Sequence, residues 1–206
     1  MRRASFIARQ AGRPAGWLGR LLLGVMARET SRFNAEVLDA VAPRDGEHIL
    51  EIGFGHGRTL GSAAVRAPHA TFAGIDVSPV ATRVATRRCR ELIAAGRLEL
   101  KTGDAAAMPW DAGAFDAAFS VHTLYFWPEP ATQLHEVRRI LRPAGRVILG
   151  LRERSDAVVA RFRAPTYHFY FVNEVSELLA RAGFAQIEVH NALAGADLRI
   201  VTARVR

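Results

Sequence analysis

The chain has 206 residues, half of them hydrophobic, and a formal net charge of +8. This length suits one domain with a substantial core, and the apolar content excludes a disordered chain. The single cysteine, Cys89, excludes an intramolecular disulfide and a cysteine-rich metal site. No stretch approaches the ~18 apolar residues of a membrane-spanning helix.

The positive charge is compatible with an anionic partner such as nucleic acid, a lipid surface or an acidic substrate. Lys101 is the only lysine, so nearly all the basic residues are arginine, which indicates a coding bias. We therefore interpret the charge as a generally basic surface and expect no nucleic-acid partner.

The first 44 residues are predicted to form an N-terminal arm and cap helices. Arg2 and Arg3 are similar to the start of an export signal, but Arg20 interrupts the apolar run that follows. We therefore expect a cytoplasmic protein. Residues 15–28 form an amphipathic helical pattern whose apolar face includes Trp17. That helix either packs across the core or the pocket, or makes peripheral contact with a membrane surface or an amphiphilic substrate.

From residue 45 to the end the pattern changes to alternating strands and helices, which predicts βαβ units in a parallel sheet with helices on both faces. Residues 172–182 follow as a helix, and the last two strands are separated by a turn and read as an antiparallel hairpin. The strands are predicted at 47–52, 71–75, 98–102, 115–121, 146–151, 186–191 and 198–205, and the intervening helices at 58–66, 79–95 and 129–141.

The run LEIGFGHGRTL, residues 50–60, joins the first predicted strand to a helix through three glycines. Such a turn brings backbone N–H groups and the positive end of a helix close to a ligand. Arg58 occupies the third-glycine position of the dinucleotide fingerprint. Glu51, two residues before the first glycine, would repel a pyrophosphate. The turn therefore favours a cationic or hydroxyl-bearing ligand over a dinucleotide.

Acidic residues also follow the next strands. Asp76 ends the second strand and suits a ribose, because a carboxylate accepts hydrogen bonds from both hydroxyls. Asp104 follows the third strand and suits an exocyclic amine, while Val77 and Met108 are apolar enough to sandwich a base. Asp76 as a helix cap and Asp104 as a turn residue are the alternatives. The placement of both acids at successive strand ends favours a nucleoside site.

Together with FAGIDVS (72–78), KTGDAAAMPWDAGAFDAAFSVHTLYFW (101–127) and LHEVRRILRPAGRVIL (134–149), this run resembles the class I S-adenosylmethionine-dependent methyltransferases. The resemblance is to the small-molecule branch that includes the ubiquinone/menaquinone type, and it covers roughly residues 45–150. It implies an α/β fold: a doubly wound, Rossmann-like sheet of seven mostly parallel strands, the last antiparallel, in a methyltransferase domain of residues 45–206.

The resemblance also implies S-adenosylmethionine as cofactor and S-adenosylhomocysteine as product. No His, Cys and Asp arrangement in the sequence suggests a metal, and none is expected. The glycine loop and Glu51 would hold the aminocarboxypropyl end, Asp76 the ribose, and Val77, Asp104 and Ala105 the adenine. The residues implied in cofactor binding are Glu51, Gly53, Gly55, His56, Gly57, Asp76, Val77, Asp104, Ala105 and Ser120.

The acceptor is expected to be a small, apolar or aromatic molecule, since aromatic residues cluster after the fourth strand and near residue 167. The predicted substrate residues are Trp17, Tyr125, Trp127, Tyr167, His168 and Tyr170. His122 is the predicted general base, because an imidazole pKa near neutrality suits that task. Core packing for the aromatics and a structural role for His122 are the alternatives.

Three other functions stay open: a lipid or fatty-acid methyltransferase at a membrane surface, a nucleic-acid methyltransferase, and a non-catalytic cofactor-binding protein. The expected oligomeric state is a monomer or a homodimer.

Overall fold

The computed structural model describes residues 30–162 and 167–206. One sheet of seven strands has the order β3-β2-β1-β4-β5-β7-β6. All pairs are parallel except the two made by β7, which runs antiparallel to both β5 and β6. The strands are β1 His48–Ile52, β2 Thr71–Asp76, β3 Leu98–Thr102, β4 Phe115–Val121, β5 Leu141–Arg152, β6 Phe184–Asn191 and β7 Leu198–Val205.

The helices cover both faces of this sheet. Within the described residues they are α1 Ser31–Val41, α2 Arg58–Arg66, α3 Pro79–Arg88, α4 Arg90–Ala94, α5 Pro130–Ile140, α6 Asp156–Arg161 and α7 Val172–Arg181, with a short 3-10 helix at Leu124–Phe126. The α/β fold class, the seven-stranded sheet and the antiparallel last strand are therefore confirmed. None of these helices is long and apolar enough to cross a membrane.

Two hydrophobic clusters, one on each face of the sheet, form the core. Successive strand residues point to opposite faces, so Ile49 packs with α1, while Leu50 and Ile52 pack on the other side with Leu134 of α5. All four of these side chains are buried, and each contributes roughly 1.5–3 kcal/mol to folding. This burial on both faces holds β1 and β4 at the centre of the sheet.

Arg146 fixes the position of α1 on the sheet. Its guanidinium donates to the backbone oxygens of Val41 and Ala42, at 2.9 and 3.3 Å, and pairs with Glu47 at 2.7 Å. These bonds satisfy carbonyls at the C-terminal end of α1, where helical partners are lacking. The opposite end of α1 is thereby held beside the carboxyl ends of the strands.

Most bounds agree with the predicted ones within two residues, but three elements differ more. The helix predicted at 79–95 is divided at Cys89, which has left the helical conformation and whose thiol contacts the Gly57 oxygen at 3.4 Å. Strand β5 begins at Leu141, because that residue pairs with Phe115 ahead of an irregularity in β4. Helix α6 was not predicted; the Ser155 hydroxyl caps it by accepting from the Val158 N–H at 3.2 Å. The helix predicted at 15–28 lies outside the described residues.

Candidate active site

A cleft opens at the carboxyl ends of the strands, between β1 and β4, where the strand order reverses. Ligands bind at this place in open α/β sheets. The cleft has an empty volume of about 1180 Å³, including its open mouth. Its lining includes these predicted site residues: Glu51, Gly53, Gly55, His56, Asp76, Val77, Asp104, Ala105, His122 and Trp127.

Two positions of the glycine loop are restricted to glycine by their backbone conformation and by close neighbouring atoms. Gly53 has φ +77°, and a Cβ there would lie 2.5 Å from Oγ1 of Thr123. Gly57 has φ +73°, and a Cβ there would lie 2.9 Å from that of Ala85. Positive φ is strained for other residues. Gly57 is the cap residue before α2, so the loop leads directly into a helix N-terminus.

Asp76 joins the end of β2 to this loop. One carboxylate oxygen accepts from the Gly55 N–H at 2.9 Å and the other from the Ser78 N–H at 2.8 Å. Burial raises the pKa of Asp76, and the two backbone hydrogen bonds oppose that rise. Each carboxylate oxygen can accept a further bond, which leaves capacity for two ligand hydroxyls. Ser78, not Asp76, caps the next helix by accepting from the Ala81 N–H.

Glu51 is a buried acid, 3% exposed, whose Oε2 has no hydrogen-bond partner among the described residues. Burial and the nearby Asp76 carboxylate raise the pKa of Glu51 well above its usual value, against hydrogen bonds from Thr59 and Leu60. An unpaired buried carboxylate is costly. A ligand amine would donate a hydrogen bond to Oε2, and its positive charge would stabilise the ionised carboxylate.

His56 is held in one tautomer by the loop. Its Nδ1 accepts from the Arg58 N–H at 3.0 Å, so the proton of the neutral ring is on Nε2. Burial, with the positive charges of Arg88 and Arg58, lowers the pKa of His56 to about 4. The ring is therefore neutral at pH 7 and presents an N–H donor.

The part of the cleft that was predicted to hold the adenine ring agrees only partly with the prediction. Val77 is 39% exposed and lines the cleft, as do Asp104 and Ala105. Asp104 Oδ1 accepts from the Ala106 N–H at 2.9 Å, which leaves Oδ2 available. Met108 is 4% exposed and packs in the core. It does not line the cleft, so the proposed sandwich with Val77 is not formed.

His122 projects into the cleft from the residue after β4. Its backbone has φ +58°, a conformation rare for residues other than glycine and found often at functional sites. Nδ1 is buried and has no partner within the described part of the chain. Burial, together with the charge of Arg152, lowers the pKa of His122 to about 4, against the effect of Asp197. The expected pKa near neutrality is therefore wrong, because the sequence did not show this burial.

The predicted substrate residues do not lie together. Trp127 lines the cleft, together with Phe126. Tyr125 and Tyr167 pack instead with Phe169 in a neighbouring cluster, in which the Tyr167 and Phe169 rings stack at 5.5 Å. Tyr170 packs in the main core, and His168 is exposed and lies beside it at 4.5 Å. Trp17 lies outside the described residues.

Two further predicted residues border the cleft without lining it. Ser120, near the end of β4, is 1% exposed, and its Oγ has no partner among the described residues. Gly57, the last residue of the loop, accepts a contact from the Cys89 thiol through its backbone oxygen. Within residues 30–162 and 167–206 no group of three His, Cys, Asp or Glu side chains could hold a metal ion.

Five polar residues of the cleft were not predicted: Thr30, Asn34, Thr59, Thr123 and Gln133. Asn34 and Gln133 come from helices on opposite faces of the sheet. No local motif identifies them, since each is one of several polar residues in an amphipathic helix. Thr123 was close to the predicted residues, and its Oγ1 donates to the Val121 oxygen at 3.1 Å.

Known proteins share this fold and this sequence pattern. The family described as "Methyltransferase domain" matches residues 50–149. A demethylmenaquinone methyltransferase from Clavibacter sepedonicus is 30% identical over 183 residues, which cover 76% of this chain and 73% of that protein. A SAM-dependent methyltransferase structure from Aquifex aeolicus superposes with a TM-score of 0.73 at 20% identity, covering 87% of this chain and 93% of that one.

An O-methyltransferase from Pyrenophora dematioidea is 28% identical over 166 residues, which cover 77% of this chain but 62% of that protein. The chain thus spans about three fifths of the length of this relative. The glycine loop, the acids at successive strand ends and the seven-stranded sheet agree with the sequence match. The chain belongs to the class I S-adenosylmethionine-dependent methyltransferase family, in its small-molecule branch.

Proposed function

We propose that this protein transfers a methyl group from S-adenosylmethionine to a small, largely apolar or aromatic acceptor. The observation that carries the proposal is that two buried acids, Glu51 and Asp76, lie together at the glycine loop. Glu51 has an unpaired Oε2, and Asp76 is held by the Gly55 N–H at 2.9 Å. A cationic nucleoside with free ribose hydroxyls has the groups that these two acids lack.

The residues of the cleft fit that cofactor. Glu51 would accept from the amine of its amino-acid end, and the neutral His56 would donate from Nε2 to the carboxylate of that end. Asp76 would accept from the ribose hydroxyls, and Asp104 and the Ala105 N–H would face the adenine. These assignments agree with the burial and hydrogen bonding of each side chain.

When bound, the cofactor supplies a methyl group already activated on a sulfonium, so attack by the acceptor breaks the carbon–sulfur bond and leaves a neutral thioether. The protein then contributes mainly alignment of the acceptor and exclusion of water. Phe126 and Trp127 would do this from the β4 side of the cleft.

His122 would accept the proton released by a hydroxyl acceptor. Its ring is neutral at pH 7 because burial lowers the pKa to about 4, and Nδ1 has no partner among the described residues. A base with so low a pKa is weak. We therefore expect its contribution at the lower end of the ~10²–10⁴-fold range of general acid–base catalysis.

Two relatives, an O-methyltransferase and a demethylmenaquinone methyltransferase, support a small-molecule acceptor. Against a nucleic-acid substrate, the cleft lining described by the structure includes three acids and neither arginine nor lysine. Binding of nucleic acid depends on such cations at the phosphates.

Titration of the protein with S-adenosylhomocysteine in a calorimeter tests the cofactor assignment, and stoichiometric binding is expected. Undetectable binding would overturn it. A second assay follows release of S-adenosylhomocysteine from S-adenosylmethionine with a panel of phenols and amines. Binding without turnover on any of them would favour a non-catalytic protein.

A further inference from the structure

The described lining of the cleft has an unusual charge composition for this protein. The chain contains 28 lysines and arginines, yet none lies among the described lining residues, whereas Glu51, Asp76 and Asp104 do. The lining histidines, His56 and His122, are neutral at pH 7 because burial lowers their pKa values to about 4. Within the described lining, a carboxylate or phosphate on the acceptor would therefore be desolvated beside acids, with no arginine or lysine to pair with it.

Unpaired hydrogen-bond acceptors are concentrated at the same place. Five buried side-chain atoms lack a partner among the described residues, and four of the five belong to residues that line the cleft. They are Asn34 Oδ1, Glu51 Oε2, His122 Nδ1 and Gln133 Oε1. A buried polar atom without a partner costs roughly 1–3 kcal/mol, so a ligand that donates hydrogen bonds would recover this free energy.

Gln133 is the clearest of these. The residue is 1% exposed and lies on the buried face of α5, whereas the two positions before it are exposed. Leu134, Val137 and Ile140 anchor α5 in the core, so the amide cannot turn outward without moving the helix. The resemblance implies neither Gln133 nor Asn34 in cofactor binding, and we assign both amides to the acceptor.

Asn34 approaches from the opposite face of the sheet. Its Nδ2 donates to Thr59 Oγ1 at 3.1 Å, which fixes the amide and leaves Oδ1 as the unpaired acceptor. The cleft wall near β4 is apolar, with Val121, Phe126 and Trp127. A flat, apolar body would be enclosed by this wall and held by the two amide oxygens.

We propose that Asn34 and Gln133 select an acceptor that has an aromatic body, hydroxyl or amino hydrogen-bond donors, and no negative charge. This inference rests on the proposed methyl transfer and names the class of its acceptor. It separates the protein from methyltransferases that act on fatty-acid carboxylates, because a carboxylate offers no donor to either amide oxygen.

The test uses four ligands that share one ring system: 2-naphthol, 2-naphthylamine, 2-naphthoate and 2-methylnaphthalene. Each is titrated by calorimetry into protein saturated with S-adenosylhomocysteine. Naphthol or naphthylamine is expected to bind about tenfold more tightly than naphthoate and methylnaphthalene, the scale of one or two hydrogen bonds. The two donor ligands distinguish a hydroxyl acceptor from an amine acceptor.

Gln133→Met should abolish the advantage of the donor ligands over methylnaphthalene and leave the affinity for S-adenosylhomocysteine unchanged. Gln133→Glu keeps acceptor oxygens and should keep the preference for donors, with still weaker naphthoate binding. Thr132→Met, on the exposed face of the same helix, is the matched control and should change neither. Asn34→Leu should lose the preference for donor ligands over methylnaphthalene, and Asn34→Asp should retain it.

Naphthoate binding as tightly as naphthol would overturn the inference, as would an unchanged preference in Gln133→Met. It would also be overturned if neither donor ligand bound, or if Gln133→Met weakened binding of S-adenosylhomocysteine instead. If the unmodified protein failed to bind S-adenosylhomocysteine at all, the proposed function would fail first, and the first titration shows this separately.

Discussion

The Asp76 carboxylate accepts a hydrogen bond from the Gly55 N–H at 2.9 Å. This bond connects the end of β2 to the loop after β1, so the acid and the loop form one unit. Because the second oxygen is held by the Ser78 N–H at 2.8 Å, the carboxylate has a fixed orientation toward the cleft.

Asp76→Ala is expected to weaken binding of S-adenosylhomocysteine by more than ~1 kcal/mol, the scale of lost hydrogen bonds to a charged group. The substitution removes the acceptor for the ribose and for two backbone N–H groups. Calorimetry measures the change, and Asp39→Ala, an exposed acid paired with Arg66, is the control that should bind normally. Equal affinity in Asp76→Ala would remove Asp76 from the site.

Gly53→Ala is expected to destabilise the protein by about 1–3 kcal/mol, because it combines a positive φ with overpacking. A Cβ at Gly53 would lie 2.5 Å from Thr123 Oγ1. Gly61→Ala is the matched control: Gly61 is inside α2 with nothing within 4 Å of a Cβ, so the change should stabilise by about 0.5–1 kcal/mol. Urea unfolding measures both, and the prediction fails if the two changes have the same sign.

Glu51→Gln should raise the stability of the ligand-free protein at pH 7 and weaken binding of the cofactor. Burial and Asp76 raise the pKa of Glu51 in the folded protein. At pH values above the pKa of Glu51 in the unfolded chain, this shift lowers the stability of the fold, and the stability returns as pH falls. Unfolding experiments and calorimetry test the two effects. A glutamine that binds the cofactor as tightly as Glu51 would contradict the assigned role.

Cofactor affinity should also rise with pH, because binding of a cationic amine favours ionised Glu51 and releases its proton. Calorimetry in two buffers of different ionisation enthalpy measures this release directly. The release should be smaller in Glu51→Gln, and no difference between the variant and the parent would argue against a contact with Glu51.

Two histidines should make the fold acid-sensitive. The folded pKa values of His56 and His122 are about 4, below the usual 6.5, because both rings are buried near arginines. Their stabilising effect is therefore complete above about pH 6.5 and is lost as pH falls toward 4, by at most about 3 kcal/mol per ring. The raised pKa values of Glu51 and Asp76 act in the opposite direction.

A comparison of the parent protein with a His56→Gln, His122→Gln double variant isolates the histidines from these acids. Urea unfolding at pH 7, 6, 5 and 4.5 should show a steeper loss of stability in the parent. Parallel pH profiles for the two proteins would show that these rings are not buried in the neutral form.

Much of the fold was predictable because it depends on local patterns. Apolar runs and glycine turns placed every strand of the sheet, with β3, β4 and β7 at the bounds observed. The break at Cys89 was not predicted, since no glycine or proline marks it, and the contact of its thiol with the Gly57 oxygen joins segments distant in the chain. The domain boundary at residue 44 stays a prediction, although α1 packs into the core through Phe33 and Val37.

The sequence by itself determined the part of the cleft formed by the glycine loop and the strand ends, because its residues lie in short runs, and parallel strands bring those ends to one edge. Only the tertiary structure decided the other half. Asn34 and Gln133 line the same cleft from helices that are about 100 residues apart in the sequence. Burial, which no local pattern shows, leaves their oxygens unpaired and lowers the pKa of His122.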